Sequence, residues 1–408
     1  MKIEKISEKQ AEILDFVVSD DLYLICDGAV RSGKTVFMSS AFVIWAMEYF
    51  DRTNFAICGK TVQSAERNVL KPLQENDSLP YTMSYKVSTK VLTVRCGTKE
   101  NYFYIFGGKD ESSYMLIQGI TLAGVLYDEV ALMPRSFVEQ ALSRAISYEH
   151  PKYWFNCNPE SPNHYFYKEW IENPKDGTTH LHFLLEDNPI LTPQMIERTK
   201  AMYSGVFYDR YIRGLWVIAE GIIYPMFGKD SIVPTEERKY SRYVISMDYG
   251  IQNPTAMLLW GFCNGVWYQV DEYYHSGRET SQQKTDQDYY EDLEKLAGDR
   301  YIDCLIIDPS ATSFIALVKQ KRRFKVRKAH NDVLEGIQKT ASAIQQGKFK
   351  VNDCCKRTIK EYGLYSWDQK ADEDRPIKDN DHAMDATRYF VNTMNIMKPV
   401  REYTSILG

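Results

Sequence analysis

Residues 28–35, GAVRSGKT, set a glycine, four spacers and Gly33-Lys34-Thr35 in one short stretch. That spacing suits a phosphate cradle. Backbone N–H groups of Gly28, Arg31, Ser32 and Gly33 would face phosphate oxygens, Lys34 would reach the β and γ groups, and the Thr35 hydroxyl would hold Mg²⁺. An apolar run precedes the stretch and a helical run, TVFMSSAFVIWAM, follows it, which is the context such a loop needs. Arg31, inside the loop, is a candidate to stabilise charge on a γ-phosphate. Arg135 and Arg144 are further candidates, each equally readable as a surface salt bridge. Gln10, in SEKQAEIL, would suit the edge of an adenine ring, or would be an ordinary helix glutamine.

Two acids close the apolar run LAGVLYDEV (122–130). Asp128 would hold magnesium, and Glu129 would orient and activate an attacking water. Paired with the cradle, these residues point to hydrolysis of a nucleoside triphosphate rather than its storage.

A second constellation lies in the carboxyl half. Asp248 ends ISMD, Asp308 ends LIID, and Asp385 sits in NDHAMDATRYF, which has helical periodicity. An acid on a first hairpin strand, one after a later strand and one on a C-terminal helix form the pattern of ribonuclease H-like nucleases. Carboxylates suit that chemistry, because two Mg²⁺ or Mn²⁺ ions about 4 Å apart must be held beside the scissile phosphate. His382 and Asp385 are three residues apart and share a helix face, with Asp381 and Lys378 close by in sequence. The densest basic run, KQKRRFKVRK (319–328), includes Lys321, Arg322, Arg323 and Lys325. It would follow a DNA phosphate backbone, or form a solvated helix end and edge strand.

These residues need elements to hold them. Short apolar runs at 22–26, 54–58, 101–106, 122–127 and 153–157 read as strands, with helices expected over 36–49, 61–74 and 136–147. Strands alternating with helices predict a mostly parallel sheet covered on both faces. Residues 91–96 and 101–106 read as a local antiparallel hairpin. Residues 223–241, rich in proline, glycine and charge, suit a linker. Beyond it, 242–248, 255–262 and 266–274 read as three strands in tight succession, with Asn264-Gly265 a hairpin turn. A buried strand over 301–308 and amphipathic segments at 311–323 and 332–346 follow. The expectation is an α/β chain of two domains, 1–222 and 242–408.

The 408 residues exceed one typical domain. A composition 44% hydrophobic and 26% charged is ordinary for a globular chain with real cores. No apolar window reaches the ~18 residues that a membrane span requires. The charged opening MKIEKISEKQ argues against secretion. Eight scattered cysteines, with no CxxC pair, read as reduced thiols of a cytosolic protein. A net charge of −5 argues against a surface that coats nucleic acid generally, while leaving local basic grooves open.

The ordered set GAVRSGKT, VLYDE, NCNPES, MDYG, IIDPS and DHAMDATRY resembles the large terminase subunit of tailed bacteriophages, in its headful-packaging branch, over nearly the whole chain. The resemblance implies a P-loop ASCE-type ATPase domain followed by an RNase H/RuvC-like nuclease domain. It implies ATP with Mg²⁺ at Lys34, Thr35, Asp128 and Glu129, with Arg31 as the P-loop arginine and Asn158 in a coupling motif. It also implies two Mg²⁺ or Mn²⁺ ions at Asp248, Asp308 and Asp385, with His382 beside them. Double-stranded DNA, a small terminase subunit and the portal of a procapsid are the implied partners, in the host cytoplasm during phage assembly. The implied assembly is a ring of about five copies on the procapsid and a monomer in isolation. A helicase or repair translocase fused to a nuclease is the competing reading, although 242–408 lacks a second P-loop. A nucleotide-regulated scaffold that only binds DNA is another.

Overall fold

Strands that are apolar on both faces need cover above and below, and those of the amino-terminal half meet that need by alternation. The structure is a computed structural model describing residues 5–397, apart from 146–147, 251–253, 277–283, 370 and 372–373. The end of the helix expected over 136–147 thus lies outside the described residues, as do 1–4 and 398–408 of the two expected domains. Contacts divide the chain into two units. One runs to Lys200 and includes Val206–Ile218; the other comprises Ala201–Gly205 and the chain from Ala219 onward.

In the first unit, β1 (Tyr23–Gly28) sends Leu24 and Cys26 into one core and Ile25 into another. β2 (Asn54–Gly59) splits likewise, Phe55 and Ile57 against Ala56 and Cys58. β3 (Thr82–Lys86), β4 (Val91–Cys96) and β5 (Lys99–Gly107) follow as an antiparallel group, of which β4–β5 is the hairpin expected from sequence. β6 (Gly124–Asp128), β7 (Lys152–Asn156) and β8 (Thr178–Phe183) complete the sheet in the order β3-β4-β5-β2-β6-β7-β1-β8. All pairings from β5 to β8 across that order are parallel.

Helix α1 (Glu8–Val18) and the almost wholly buried α2 (Lys34–Tyr49) cover one face. There Phe42 and Trp45 lie with ring centroids 5.7 and 6.2 Å from Trp154. The helix expected over 61–74 is instead α3 (Val62–Ala65), a π-helical turn at Glu66–Leu70 and α4 (Lys71–Gln74). Periodicity does not announce such a one-residue insertion, which is common at functional sites. α5 (Arg135–Ser143) lies against the other face, through Phe137 and Val138. Two short helices, α6 (Pro193–Lys200) and α7 (Gly205–Tyr211), follow β8.

The second unit is built on a seven-stranded sheet. Residues 223–241 contribute β9 (Ile232–Val233) and the buried Tyr224 to it. β10 (Arg242–Asp248), β11 (Thr255–Cys263) and β12 (Val266–His275) form the antiparallel succession expected from sequence. α8 (Asp286–Ala297) precedes β13 (Leu305–Ile307), which is shorter than the 301–308 run expected from sequence. α9 (Thr312–Lys321), β14 (Val326–Lys328), α10 (Val333–Gln345), β15 (Phe349–Asn352), α11 (Lys356–Tyr362) and α12 (His382–Met394) complete it. The order is β14-β13-β10-β11-β12-β15-β9, with β13 parallel to β10.

α8 and α9 cover one face through Tyr289, Leu293 and Phe314. α12 crosses β10 and β11 on the other. There the Trp260 ring stacks on Phe390 at 4.1 Å, and its N–H donates to Ser246 Oγ at 2.9 Å. Among the described residues no helix is long and apolar enough to cross a membrane, and all eight cysteines are free thiols.

Because the Trp260 stack fixes α12 on the sheet, Trp260→Ala is expected to destabilise this unit by about 3–5 kcal/mol. Denaturant unfolding followed by circular dichroism checks this. A change below about 1 kcal/mol would mean that the stack is not what seats the helix.

Candidate functional site

Strand β1 runs into a loop that only special backbone conformations can trace. Gly28, Arg31 and Gly33 have φ of 117°, 56° and 87°. A Cβ on Gly28 would stand 2.0 Å from the Phe183 carbonyl oxygen, so no other residue fits there. α2 then starts at Lys34, whose buried Nζ donates to the Ala29 and Gly28 carbonyls at 2.6 and 3.1 Å. It also lies 3.3 Å from both Ser32 Oγ and Asn158 Oδ1. Burial pulls Lys34 down to about 8, against the attraction of acids that include Asp27 and Asp128.

The parallel register aligns Asp128 with Asn156 across β6 and β7, and Asn156 with Cys26 across β7 and β1. Asn156 Nδ2 donates to Asp128 Oδ1 and to Thr35 Oγ1, each at 2.7 Å, and the Thr35 hydroxyl lies 3.3 Å from the same carboxylate oxygen. Asn68, on the π-helical turn, donates to Asp128 Oδ2 at 3.1 Å. Asn156 Oδ1 is buried without a hydrogen-bond partner among the described residues. An open acceptor beside a threonine hydroxyl and a carboxylate fits a hydrated magnesium ion on a nucleotide phosphate. Glu129 adopts a left-handed φ of 61°. Burial, and then the charge of Asp128, push its carboxyl up to about 7.

The other expected residues of this unit fall around that core. Gln10 caps α1 by accepting from the Ser7 amide, and a Cβ on Gly33 would meet its Nε2 at 2.6 Å. Arg31 is exposed, and its carbonyl accepts from Asn188 Nδ2 at 2.7 Å. Arg135 pairs with Glu139 and Glu169 at 2.7 and 2.9 Å, the surface-bridge alternative. Arg144 caps α5.

In the second unit the β10–β13 register pairs Met247 with Ile307, setting Asp248 and Asp308 next in line at neighbouring strand ends. Asp248 Oδ2 lies 2.8 Å from His382 Nδ1. Asp308 accepts from the Ser310 amide and from Asn331 Nδ2, both at 2.8 Å. Asp385 accepts from Arg388 Nη2 at 2.7 Å, with Lys378 Nζ 3.8 Å away and 3.6 Å from Asp381. The charges of all three carboxylates act on one phenol, Tyr389. Burial raises Tyr389, and the charges of Asp248, Asp385 and Asp308 raise it further.

Burial also raises Asp248, although its bond to His382 opposes this. In Asp308 the hydrogen bonds from Ser310 and Asn331 outweigh burial and lower the carboxyl. His382 is raised, because Asp248 and its acidic neighbours overcome the effect of burial. Among the described residues no three His, Cys, Asp or Glu side chains are already gathered around one metal position. The set suits hard divalent ions by its oxygen chemistry, with its members held pairwise by His382, Asn331 and Arg388. In the basic run, Arg323 pairs with Glu294 at 3.1 Å and Lys321 lies over the Tyr290 ring. Arg322 and Lys325 are exposed.

Sequence reasoning passed over several residues. Asn156 and Arg388 lie inside quoted motifs but carry no signal of their own. Asn68 looks like an ordinary helix residue until the π turn aims it. Glu361, on α11, accepts from the Ala383 amide at 2.7 Å and the Met384 amide at 3.3 Å, capping the helix that carries His382 and Asp385. Burial pushes it to about 7.

A family model described as the terminase large subunit, T4likevirus-type, N-terminal, matches residues 25–228. The large terminase from a thermophilic bacteriophage, in crystal form 2, is 50% identical with a TM-score of 0.91, covering 96% of this chain and 100% of that one. The same thermophilic-phage protein in complex with ADP and with ATP-γ-S (crystal form 3) is 49% identical in each case, with a TM-score of 0.89 and the same coverage. No curated protein matches. Fold, motif order and these similarities agree: the chain belongs to the large terminase subunit family, DNA-packaging motors that join a P-loop ATPase domain to an RNase H-like nuclease domain.

Proposed function

We propose that this chain is an ATP-driven motor that moves double-stranded DNA into a procapsid and cuts concatemeric DNA with a metal-dependent endonuclease. The observation that carries the reading is one chain with two separate acid sites. In one, Asp128 is tied to the phosphate loop through Thr35 and Asn156. In the other, Asp248 and Asp308 close neighbouring parallel strands and Asp385 lies on α12, the helix packed against both. The complexes of the thermophilic-phage terminase with ADP and ATP-γ-S support a nucleotide at the first.

In this reading the amides of 28–35 and Lys34 bind the phosphates, Thr35 and Asp128 hold magnesium, and Gln10 reads the base. Magnesium held there would supply positive charge against the phosphates. Glu129 takes the proton of the attacking water, for which a carboxyl near 7 is well matched. Arg31 faces charge developing on the γ-phosphate. Lys34 leaves Asn158 Oδ1 when it turns to phosphate, so Asn158 registers whether the γ group is present.

In the second unit Asp248, Asp308 and Asp385 would hold two Mg²⁺ or Mn²⁺ ions, which would supply a nucleophilic water and stabilise the leaving oxygen. His382 orients Asp248, and Arg388 orients Asp385. The small terminase subunit and the portal are the partners of the working motor, a ring of about five copies in the host cytoplasm during phage assembly.

Lys34→Ala or Glu129→Ala is expected to abolish ATP hydrolysis and leave Mn²⁺-dependent plasmid cleavage intact; Asp248→Ala or Asp385→Ala should do the reverse. Loss of both activities from one substitution in a folded chain would sink the two-site reading.

The pH dependence follows from two groups. Glu129 must be deprotonated and Lys34 charged, so kcat/KM for ATP should rise through about pH 7 and fall above about pH 8. A flat profile across that window would exclude Glu129 as the base.

Replacing Arg322, Arg323 and Lys325 by glutamine should weaken DNA binding and lower its salt slope by about 2–3, less if Arg323 stays with Glu294. Unchanged filter binding across a salt series would make the run a solvated edge.

A further inference from the structure

Asp27 stands immediately before Gly28, is buried, and has no part in the hydrolysis described above. Its Oδ1 accepts from His180 Nε2 and from His182 Nδ1, each at 2.9 Å, and its Oδ2 accepts from Trp216 Nε1 at 2.7 Å. An ionised carboxylate only accepts, so it selects the imidazole tautomers that donate to it. The two histidines are two residues apart on β8 and share a face, and the register sets Asp27 opposite His182. Trp216 comes from a different element, the stretch after α7 (Gly205–Tyr211). Burial would raise Asp27, but the two histidines outweigh it and hold the carboxyl well below its usual range.

The same two elements grip the phosphate loop by its backbone. Ala29 N–H donates to the Phe183 carbonyl and Val30 N–H to the Tyr211 carbonyl, each at 2.8 Å. The approach is tight on both sides. A Cβ on Gly214 would stand 2.8 Å from His182 Nε2 and 3.3 Å from Gly28 Cα. Lys34 in turn hangs from the carbonyls of Gly28 and Ala29, so their placement sets where Nζ lies.

We propose that Asp27 is a positioning residue for ATP hydrolysis: with His180, His182 and Trp216 it clamps the phosphate loop to β8 and to the stretch after α7, keeping the amides of 28–35 spaced for a triphosphate. Neither element can move off without leaving a buried charge short of a donor, which is what makes a carboxylate effective in this place. The inference rests on reading 28–35 as the nucleotide cradle, and adds residues to that cradle which touch no nucleotide.

The test uses the full chain and reads KM and kcat for ATP, Kd for a fluorescent ATP analogue, and the unfolding temperature. Asp27→Asn and Trp216→Phe should raise KM and Kd about tenfold, the size expected for a lost hydrogen bond to a charged group, while kcat changes less than about threefold. His182→Ala should follow them. His182→Asn, whose side-chain N–H stands in for Nδ1–H, should stay within about twofold of wild type.

Unchanged KM and Kd in Trp216→Phe and His182→Ala would overturn the clamp. So would equal losses in His182→Ala and His182→Asn, which would reduce the cluster to packing. If Asp27→Asn fails to fold, Trp216→Phe and the His182 pair decide. A wild-type chain that binds the analogue without hydrolysing ATP would sink the proposed motor alone, leaving Kd to judge the clamp. A wild-type chain that binds no analogue would overturn both.

Discussion

A carboxylate at the covered end of a parallel strand is costly unless its oxygens find donors. At Asp128 those donors come from three elements: Thr35 at the start of α2, Asn156 at the end of β7, and Asn68 on the π-helical turn. Each can reach Asp128 only if its own element is seated. The seating of α2 depends on its buried face against Trp154 and Phe55, and that of β7 on its pairing between β6 and β1. The hydrophobic cores supply the burial, and satisfying one acid's oxygens decides which arrangement of those cores is tolerated. The same bonds fix Thr35 and Asn156 against one another as well as against the carboxylate.

The second unit handles its buried acids differently. Asp248, Asp308 and Asp385 are each answered by a separate partner, His382, Asn331 and Arg388. Two of these partners, His382 and Arg388, lie on the same helix as Asp385, one turn to either side of it. That helix is held by the Trp260–Phe390 stack below and by Glu361 at its amino end, where a carboxylate meets unpaired amides. Apolar packing sets where the helix lies, and polar capping sets where it begins. Together they place His382 within reach of a strand end far away in sequence.

Much of this is legible in the chain. The glycine-rich loop of 28–35 and Asp128-Glu129 stand out because their spacing is local, whereas Asp248, Asp308 and Asp385 stand out only by their places, two at the ends of apolar runs and one on a helical segment. The strands at 22–26, 54–58 and 153–157 appear close to their expected bounds, since burial on both faces leaves a continuous apolar run in the sequence. β3, β8 and α8 have no counterpart among the expected elements. β8, an edge strand with half-exposed positions, reads as polar sequence, and its histidines look unremarkable. Nothing at Asp27 hints that Trp216 will meet it.

The order of residues alone thus specifies the two α/β domains, the succession of their motifs and the residue types at each site, because backbone periodicity and short-range spacing are properties of neighbours along the chain. Which polar groups pair is settled only when the chain is folded. Asn68 with Asp128, Asn158 with Lys34, His180, His182 and Trp216 with Asp27, and Arg388 with Asp385 are outcomes of register, of a π-helical insertion and of helix placement. The physical reason is the same in each case. A buried charge takes whichever hydrogen-bond partner packing brings within reach, and that distance is set by every element around it.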